Sequence, residues 1–191
     1  SDAAHRLAAV MRLRAGDPFL LFSGDGREWS ANVASIEKNR LHAIVGEVTR
    51  TAAPLPLIVE CWCALVRPNR FDWAIEKCTE AGVDIFRPLV TEHSARGETP
   101  SANREERWER LAVEAAEQSG RLSVPVIAPA ARFDQLLEQP GGPLLVFDRD
   151  GRSWQETIPL IPDVGRIGIA VGPEGGLSQT ELAAAAARGA L

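Results

Sequence analysis

Three glycines in five residues, Gly172-Pro173-Glu174-Gly175-Gly176, stand between an apolar run from Ile167 to Val171 and a Ser178-x-x-Glu181 pattern that opens an alanine-rich segment. In open α/β sheets, ligands bind outside the carboxyl ends of the strands. A strand, a glycine loop and a capped helix in that order can therefore form a binding wall. A residue without a Cβ lets backbone amides and carbonyls come close to a ligand. A tight strand-to-helix turn that binds nothing has the same pattern, and the residues alone leave both readings open. The spacing is not Gly-x-Gly-x-x-Gly, which disfavours a nicotinamide-dependent oxidoreductase.

Two further clusters carry charge. Glu117, Gln118 and Arg121 lie within Glu114 to Arg121, at the C-terminal end of a predicted long helix. A cation is favourable at that end of the helix dipole, so a solvated helix terminus accounts for the cluster as well as chemistry does. Arg6, Arg12 and Arg14 occur in the stretch His5 to Asp17, where a short helix would turn Leu7, Val10 and Met11 inward and the arginines outward. Such arginines can hold phosphates, though a solvated basic face is the commoner cause. The cysteines, Cys61, Cys63 and Cys78, are odd in number, without a CxxC pair or a nearby histidine cluster. That argues against a disulfide framework and against zinc. Cys61 and Cys63, two apart on a strand, face one side and read as small buried hydrophobes. No metal is expected.

The elements that must position these groups fall into two rhythms. Residues 1–51 read as short strands with tight turns: Pro18 to Phe22, then Gly24-Asp25-Gly26, then alternation at Trp29, Ala31 and Val33, then Lys38-Asn39-Arg40 and Leu41 to Val48. This spacing predicts a small barrel. Residues 52–56, with Pro54 and Pro56, read as a linker, since two prolines in three residues suit neither a helix nor a central strand. Residues 57–191 alternate strand and helix, which predicts a mainly parallel sheet covered on both faces. Strands are expected at Leu57–Val66, Val83–Val90, Val124–Ile127, Leu144–Phe147 and Ile167–Val171. Pro88 pushes the second towards a sheet edge or a bend. Asn69 is expected to cap a helix over 70–81 that buries Phe71, Ala74, Ile75 and Cys78. Asn103 and Glu106 form a capping box for a helix ending near Gly120, with Trp108, Leu111, Ala112, Ala115 and Ser119 inward. A short helix follows at Phe133–Glu138, and Ser178 with Glu181 caps the last one. Residues 93–103 read as a mobile loop.

The 191 residues carry a net charge of −5. Residues 1–50 hold seven Lys/Arg against six Asp/Glu, and the rest hold 14 against 20. Phosphate binding needs a local basic patch, so charge neither predicts nor excludes RNA. No apolar run reaches the ~20 residues of a membrane span, and Ser1 to Arg6 lacks the apolar core of a signal peptide. A cytoplasmic protein is expected.

Five blocks in order resemble the RsmE family of methyltransferases: His5 to Asp17 with Leu21-Phe22 and Gly24-Asp25-Gly26; Glu76 to Val83; Arg87-Pro88-Leu89 with Arg107-Trp108; Glu114 to Arg121 with Val124-Pro125; and Gly172 to Gly176 with Ser178 and Glu181. The family acts on N3 of uridine in 16S ribosomal RNA of the small subunit and belongs to the SPOUT superfamily, whose sheet carries a trefoil knot. The resemblance implies an α/β protein, with a PUA-like RNA-binding barrel ahead of a knotted domain that binds S-adenosylmethionine and forms a homodimer. Gly172, Pro173, Glu174, Gly175 and Gly176 would form one wall of the cofactor pocket, with Phe147 and Asp148 near another. Arg6, Arg12, Arg14 and Gln118 would meet RNA. Arg121 would stabilise charge developing on uracil, with Glu117 as proton acceptor or as orienter of Arg121. Two departures stand out. Glu92-His93-Ser94 replaces the family's Glu-Arg-Ser, exchanging an arginine for a histidine. The sequence also stops at Leu191, where the family continues with a Leu-Gly-x-Arg-x-Leu-Arg-x-Glu-Thr segment and a last helix, so a longer protein is expected. An RNA-binding protein that keeps this fold without catalysis is the alternative function, and cofactor binding separates the two.

Overall fold

The structure, a computed structural model, describes residues 13–37, 40–53, 56–94, 100–138, 142–163 and 165–191. The chain divides into two compact units, 1–54 and 55–191.

In the first unit, β1 (Pro18–Phe22), β2 (Arg27–Glu37) and β3 (Arg40–Thr51) form an antiparallel sheet in that order. The turn between β1 and β2 uses Gly24 at φ 82° and Gly26 at φ 90°, a region in which only glycine is comfortable. Asp25 accepts the Arg27 amide at 3.2 Å and closes the turn. The alternation at Ala31 and Val33 buries both. Register shifts near Trp29 and between Val33 and Ser35 mark bulges in β2, which increase twist and curl a sheet. Arg6, Arg12 and the residues expected to face inward, Leu7, Val10 and Met11, lie outside the described residues, as do Lys38, Asn39 and Pro54.

In the second unit, the described elements run β4 (Ile58–Ala64), α1 (Pro68–Glu80), β5 (Ile85–Val90), α2 (Ala102–Ser119), β6 (Val126–Ile127), β7 (Ala131–Arg132), α3 (Phe133–Leu137), β8 (Leu144–Phe147), α4 (Trp154–Thr157), β9 (Arg166–Val171) and α5 (Gln179–Ala187). The strands pair in parallel in the order β6-β5-β4-β9-β8, and β7 pairs with β5 beyond β6. Period-2 alternation splits the apolar side chains between two cores. Cys61, Leu65 and Phe86 pack with Phe71 and Ile75 of α1 and Trp108 and Ala112 of α2. Phe71 meets Phe86 edge-on at 5.5 Å and Trp108 at 4.6 Å between ring centroids. On the other face, Trp62, Ala64, Leu89 and Ala170 pack with Phe133 and Leu136 of α3 and Ala185 of α5. Glu60 interrupts the apolar run of β4 yet is 1% exposed. Its carboxylate accepts from Arg87 of β5 and, at 2.9 Å, from Nε of Arg166 of β9. A buried acid is tolerated when it is paired in this way.

Several local expectations are corrected. The residue capping α1 is Arg67, with Pro68 in the first turn, where a missing N–H costs nothing. Asn69 lies inside the helix and accepts the Arg70 amide at 3.0 Å. The residue capping α2 is Ser101, without a side-chain cap bond, so Asn103 and Glu106 are helical. Ser119 is exposed, and its hydroxyl donates back to the Ala115 carbonyl at 2.7 Å. Pro88 lies in an inner strand. On the β4 side, the Leu89 carbonyl accepts the Leu65 amide, whereas the Phe86 carbonyl accepts the Ala128 amide on the opposite side. Pro88 shares the parity of Phe86, so its missing N–H falls in the gap where β6 ends and β7 begins. β6 is two residues long, and β7 and α4 were not expected. Residues 95–99 of the loop after β5 lie outside the described residues.

Candidate active site

Strand register builds the site. Val171, the last residue of β9, pairs with Phe147, the last residue of β8, and with Cys63 of β4. The chain therefore leaves β8 at Asp148 and β9 at Gly172 side by side. Between these exits lies a cavity of about 650 Å³ lined by Phe147, Asp148 and all of Gly172 to Gly176, together with His93, Arg149, Asp150 and the start of α5. All seven residues expected to face a cofactor line this one cavity, which falls in the ~300–1,000 Å³ range of small-molecule sites. Next to it, Phe147 stacks on Trp154 of α4 at 6.4 Å between ring centroids, and both are about half exposed.

The glycines serve different ends. A Cβ on Gly172 would come within 3.0 Å of the Leu177 amide nitrogen and 3.2 Å of the Gly176 carbonyl carbon, so the loop backbone would have to give by a few tenths of an ångström to admit a side chain. Gly176 has φ +74° and donates its N–H to the Pro173 carbonyl at 2.8 Å, closing the turn. A Cβ on Gly175 would meet only His93, at 3.6 Å or more, so the fold permits a side chain there. The turn then enters α5 through a capping box. Ser178 Oγ accepts the Glu181 amide at 3.2 Å, and Glu181 Oε2 accepts the Ser178 amide at 2.9 Å. The other Glu181 oxygen accepts the Glu92 amide at 2.9 Å, which ties the segment after β5 to the same helix end. Glu174 is exposed and ion-paired with Arg70 of α1 at 2.9 Å.

The cluster at the end of α2 is not brought to this cavity. Arg121 Nη2 donates to Asp84 Oδ1 at 2.9 Å, and Asp84 Oδ2 accepts the Val59 amide at 2.9 Å. Asp84 immediately precedes β5, and Val59 lies four residues upstream of Cys63, the partner of Val171. Arg121 thus sits at the amino ends of the strands, roughly 13 Å along the sheet from the glycine loop at ~3.3 Å per residue. Its Nη1 donates to the Thr79 and Val83 carbonyls, and its Nε donates to Ser123 Oγ at 3.1 Å. Burial lowers its pKa from the ordinary arginine value, while the Asp84 charge works the other way. These bonds hold most of the guanidinium against the protein's own acceptors. Glu117 and Gln118 are exposed at the same end of α2. In the first unit, Arg14 is exposed and its amide donates to Asp17 at 2.7 Å.

His93 was noted in the sequence only as a departure from a family pattern. The structure makes it a wall of the cavity, with Nδ1 3.1 Å from the Gly176 carbonyl. The contact spans 83 residues, beyond local pattern. The signal that could have found it is position, since Glu92-His93-Ser94 follows β5 at the same sheet end at which the glycine loop follows β9. Among the described residues, no group of three or more His, Cys, Asp or Glu could hold a metal ion.

Comparison with known proteins agrees with this geometry. Residues 53–191 match the model of the RNA methyltransferase domain, and residues 2–46 match the RNA methyltransferase PUA domain. The ribosomal RNA small subunit methyltransferase E of Synechocystis sp. is 34% identical over 195 residues, covering 97% of this chain and 61% of that protein. The protein of the same name from Bacillus subtilis is 29% identical, covering 95% of this chain and 75% of its own length. The chain thus spans between about three fifths and three quarters of these relatives. A crystal structure of a ribosomal RNA small subunit methyltransferase E from Neisseria gonorrhoeae bound to S-adenosyl methionine superposes with a TM-score of 0.86 at 26% identity, covering 98% of this chain and 78% of that one. With the family model covering the entire parallel sheet and the glycine loop that ends it, this chain belongs to the RNA methyltransferase domain family.

Proposed function

We propose that this protein transfers the methyl group of S-adenosylmethionine to N3 of a uridine in 16S ribosomal RNA of the small subunit, as a cytoplasmic homodimer. The observation that carries the reading is the cavity between the ends of β8 and β9, walled by Gly172 to Gly176, in a chain of the RNA methyltransferase domain family. The residues present fit the cofactor. Gly176 leaves open space where a Cβ would stand, and a side chain at Gly175 would point across the loop towards His93. Phe147 offers an apolar face on the other side. When bound, S-adenosylmethionine supplies an electrophilic methyl carbon whose bonding electrons return to sulfur.

The chain's own task is to bind and to align. Backbone amides and carbonyls of Gly172 to Gly176 hold the donor, and the capping network of Ser178, Glu181 and Glu92 keeps that loop from yielding. Fixing donor and acceptor in one geometry supplies much of the acceleration in a displacement of this kind. Arg14, with Arg6 and Arg12, supplies phosphate contacts. Arg121 acts at a distance as a positioning residue, because four of its five N–H groups are committed to its own fold. Glu117 and Gln118 contact substrate on this reading where the homodimer brings the end of α2 towards a second cavity. No helix among the described residues is long and apolar enough to cross a membrane.

Small subunits that lack the modification, incubated with the full-length protein and S-adenosylmethionine carrying a tritiated methyl group, test the reading. The expected product is N3-methyluridine in digested 16S RNA. Cofactor binding without transfer would favour an RNA-binding protein that has lost catalysis. Failure to bind cofactor would overturn the pocket assignment.

A further inference from the structure

The segment after β5 holds a side chain that the alignment role does not use. Thr91 and Ser94 are both buried, and they close a turn on each other. The Thr91 amide donates to Ser94 Oγ at 3.0 Å, the two hydroxyls lie 2.9 Å apart, and the Ser94 amide returns to the Thr91 carbonyl at 3.1 Å. Glu181 holds the Glu92 amide. His93 is therefore an exposed side chain on a backbone fixed from both sides, at the wall of the proposed cofactor cavity.

Its tautomer follows from its partner. The Gly176 carbonyl, 3.1 Å from Nδ1, can only accept. In the neutral ring, Nδ1 must carry the proton, and Nε2 then keeps a lone pair. The atoms of His93 nearest to Gly175 are Cβ, Nδ1 and Cγ. Nε2, separated from Nδ1 by Cε1 in the ring, is not the atom that meets the Gly176 carbonyl. The other charged groups around it are Asp148, Arg149 and Asp150 beyond β8, Glu174 in the glycine loop, and Glu181 on α5. Glu174 is paired with Arg70, Arg149 with Asp150, and Glu181 is occupied by backbone amides.

We propose that His93 Nε2 is the proton acceptor for uracil N3 in this protein. The proposal rests on the methyltransferase reading above. The N3–H bond breaks with its electron pair left on N3, and the proton bonds to Nε2. That pair on N3 forms the new bond to the methyl carbon. The imidazolium keeps its Nδ1–H bond to Gly176, so the loop that holds the donor also steadies the charged base. A general base of this kind contributes roughly a hundredfold to ten-thousandfold in rate.

The following measurements on the full-length protein test this. Long-range proton–nitrogen spectra of the free protein should show His93 with its proton on Nδ1, and an Nε2–H tautomer would overturn the proposal. Single-turnover methylation at saturating cofactor should fall about a hundredfold or more in His93→Gln, while calorimetric S-adenosylmethionine affinity stays within about threefold. Glutamine places an amide where His93 has Nε2 and offers no basic nitrogen. The wild-type rate should rise about tenfold per pH unit on its acid side, as expected for one essential base, and the variant should lack that limb. RNA with 5-fluorouridine at the target, whose N3–H is more acidic, should recover part of the lost rate. A variant of normal rate and pH profile, or a loss confined to cofactor affinity, would make His93 a loop clamp and sink the proposal. No N3-methyluridine from the wild type would remove the functional reading as well.

Discussion

Replacing Arg121 with methionine should destabilise the fold far more than it alters the cavity. The side chain makes four hydrogen bonds, to Ser123 Oγ, the Thr79 and Val83 carbonyls, and Asp84. It thereby stitches the end of α2 to the turn between α1 and β5. The Thr79 carbonyl also accepts the Gly82 amide at 3.1 Å, so it is not left bare. Asp84 keeps the Val59 amide but loses its cation. A hydrogen bond to a charged group contributes about 1.5–3 kcal/mol and a neutral one about 1. Removing one partner of a wholly buried pair costs about 3–5 kcal/mol. The Arg121 side chain is 13% exposed and that of Asp84 26%, so water recovers part of the carboxylate's solvation, and a cost of about 3 kcal/mol is expected. For a protein of this size that lowers Tm by roughly 6–12 °C. Arg121→Lys keeps a charge for Asp84 but cannot fork to both carbonyls, and should lose about half as much. Thermal melts and urea titrations measure the effect, with cofactor calorimetry well below the transition as control. A methionine variant that melts within about 1 °C of the wild type, yet has lost methyl transfer, would refute the bracing role and return Arg121 to direct chemistry.

Four other outcomes follow from the structure. Gly172→Ala should weaken S-adenosylmethionine binding by tenfold or more in calorimetry, because its Cβ meets backbone at 3.0 Å and 3.2 Å, an overpacking that costs about 1–3 kcal/mol. Gly175→Val should fold normally by circular dichroism but bind poorly, since His93 leaves room for a Cβ at 3.6 Å or more and the branched side chain would take up part of the cavity that both residues line. Glu60→Gln should lower unfolding free energy in urea by about 3 kcal/mol, because Arg87 and Arg166 lose the buried carboxylate they share. Burial pushes the Cys63 thiol up to about 12, and the hydrogen bond with Cys78, together with burial, raises Cys61. A raised thiol is protonated, hence unreactive, at pH 8. Ellman's reagent should therefore leave both unmodified in the native protein at pH 8 and label them only in denaturant.

Contacts between residues close in sequence are legible from the sequence alone. The glycine loop and the Ser178–Glu181 cap depend on contacts within four residues and on backbone angles that glycine alone tolerates, so their types and order disclose them. The two faces of β4 were legible because alternation is a property of the strand itself. Asn69 shows the limit of local reading, since Pro68 beside it set the helix start and either residue fits the sequence rule. Pro88 shows a different limit. Whether its missing N–H matters depends on β6 and β7 leaving a gap, and those strands belong to a segment forty residues downstream. Arg121, Asp84 and Val59 form one cross-brace from three elements, and nothing in the sequence around Arg121 names its partners. His93 and Gly176 meet for the same reason. Strand order and register are set by burying both faces of the sheet at once, a condition that involves all of its strands together. The chemistry-bearing residues were therefore readable one at a time, but only tertiary packing decided that Phe147, Gly172 and His93 share a cavity and that Arg121 does not.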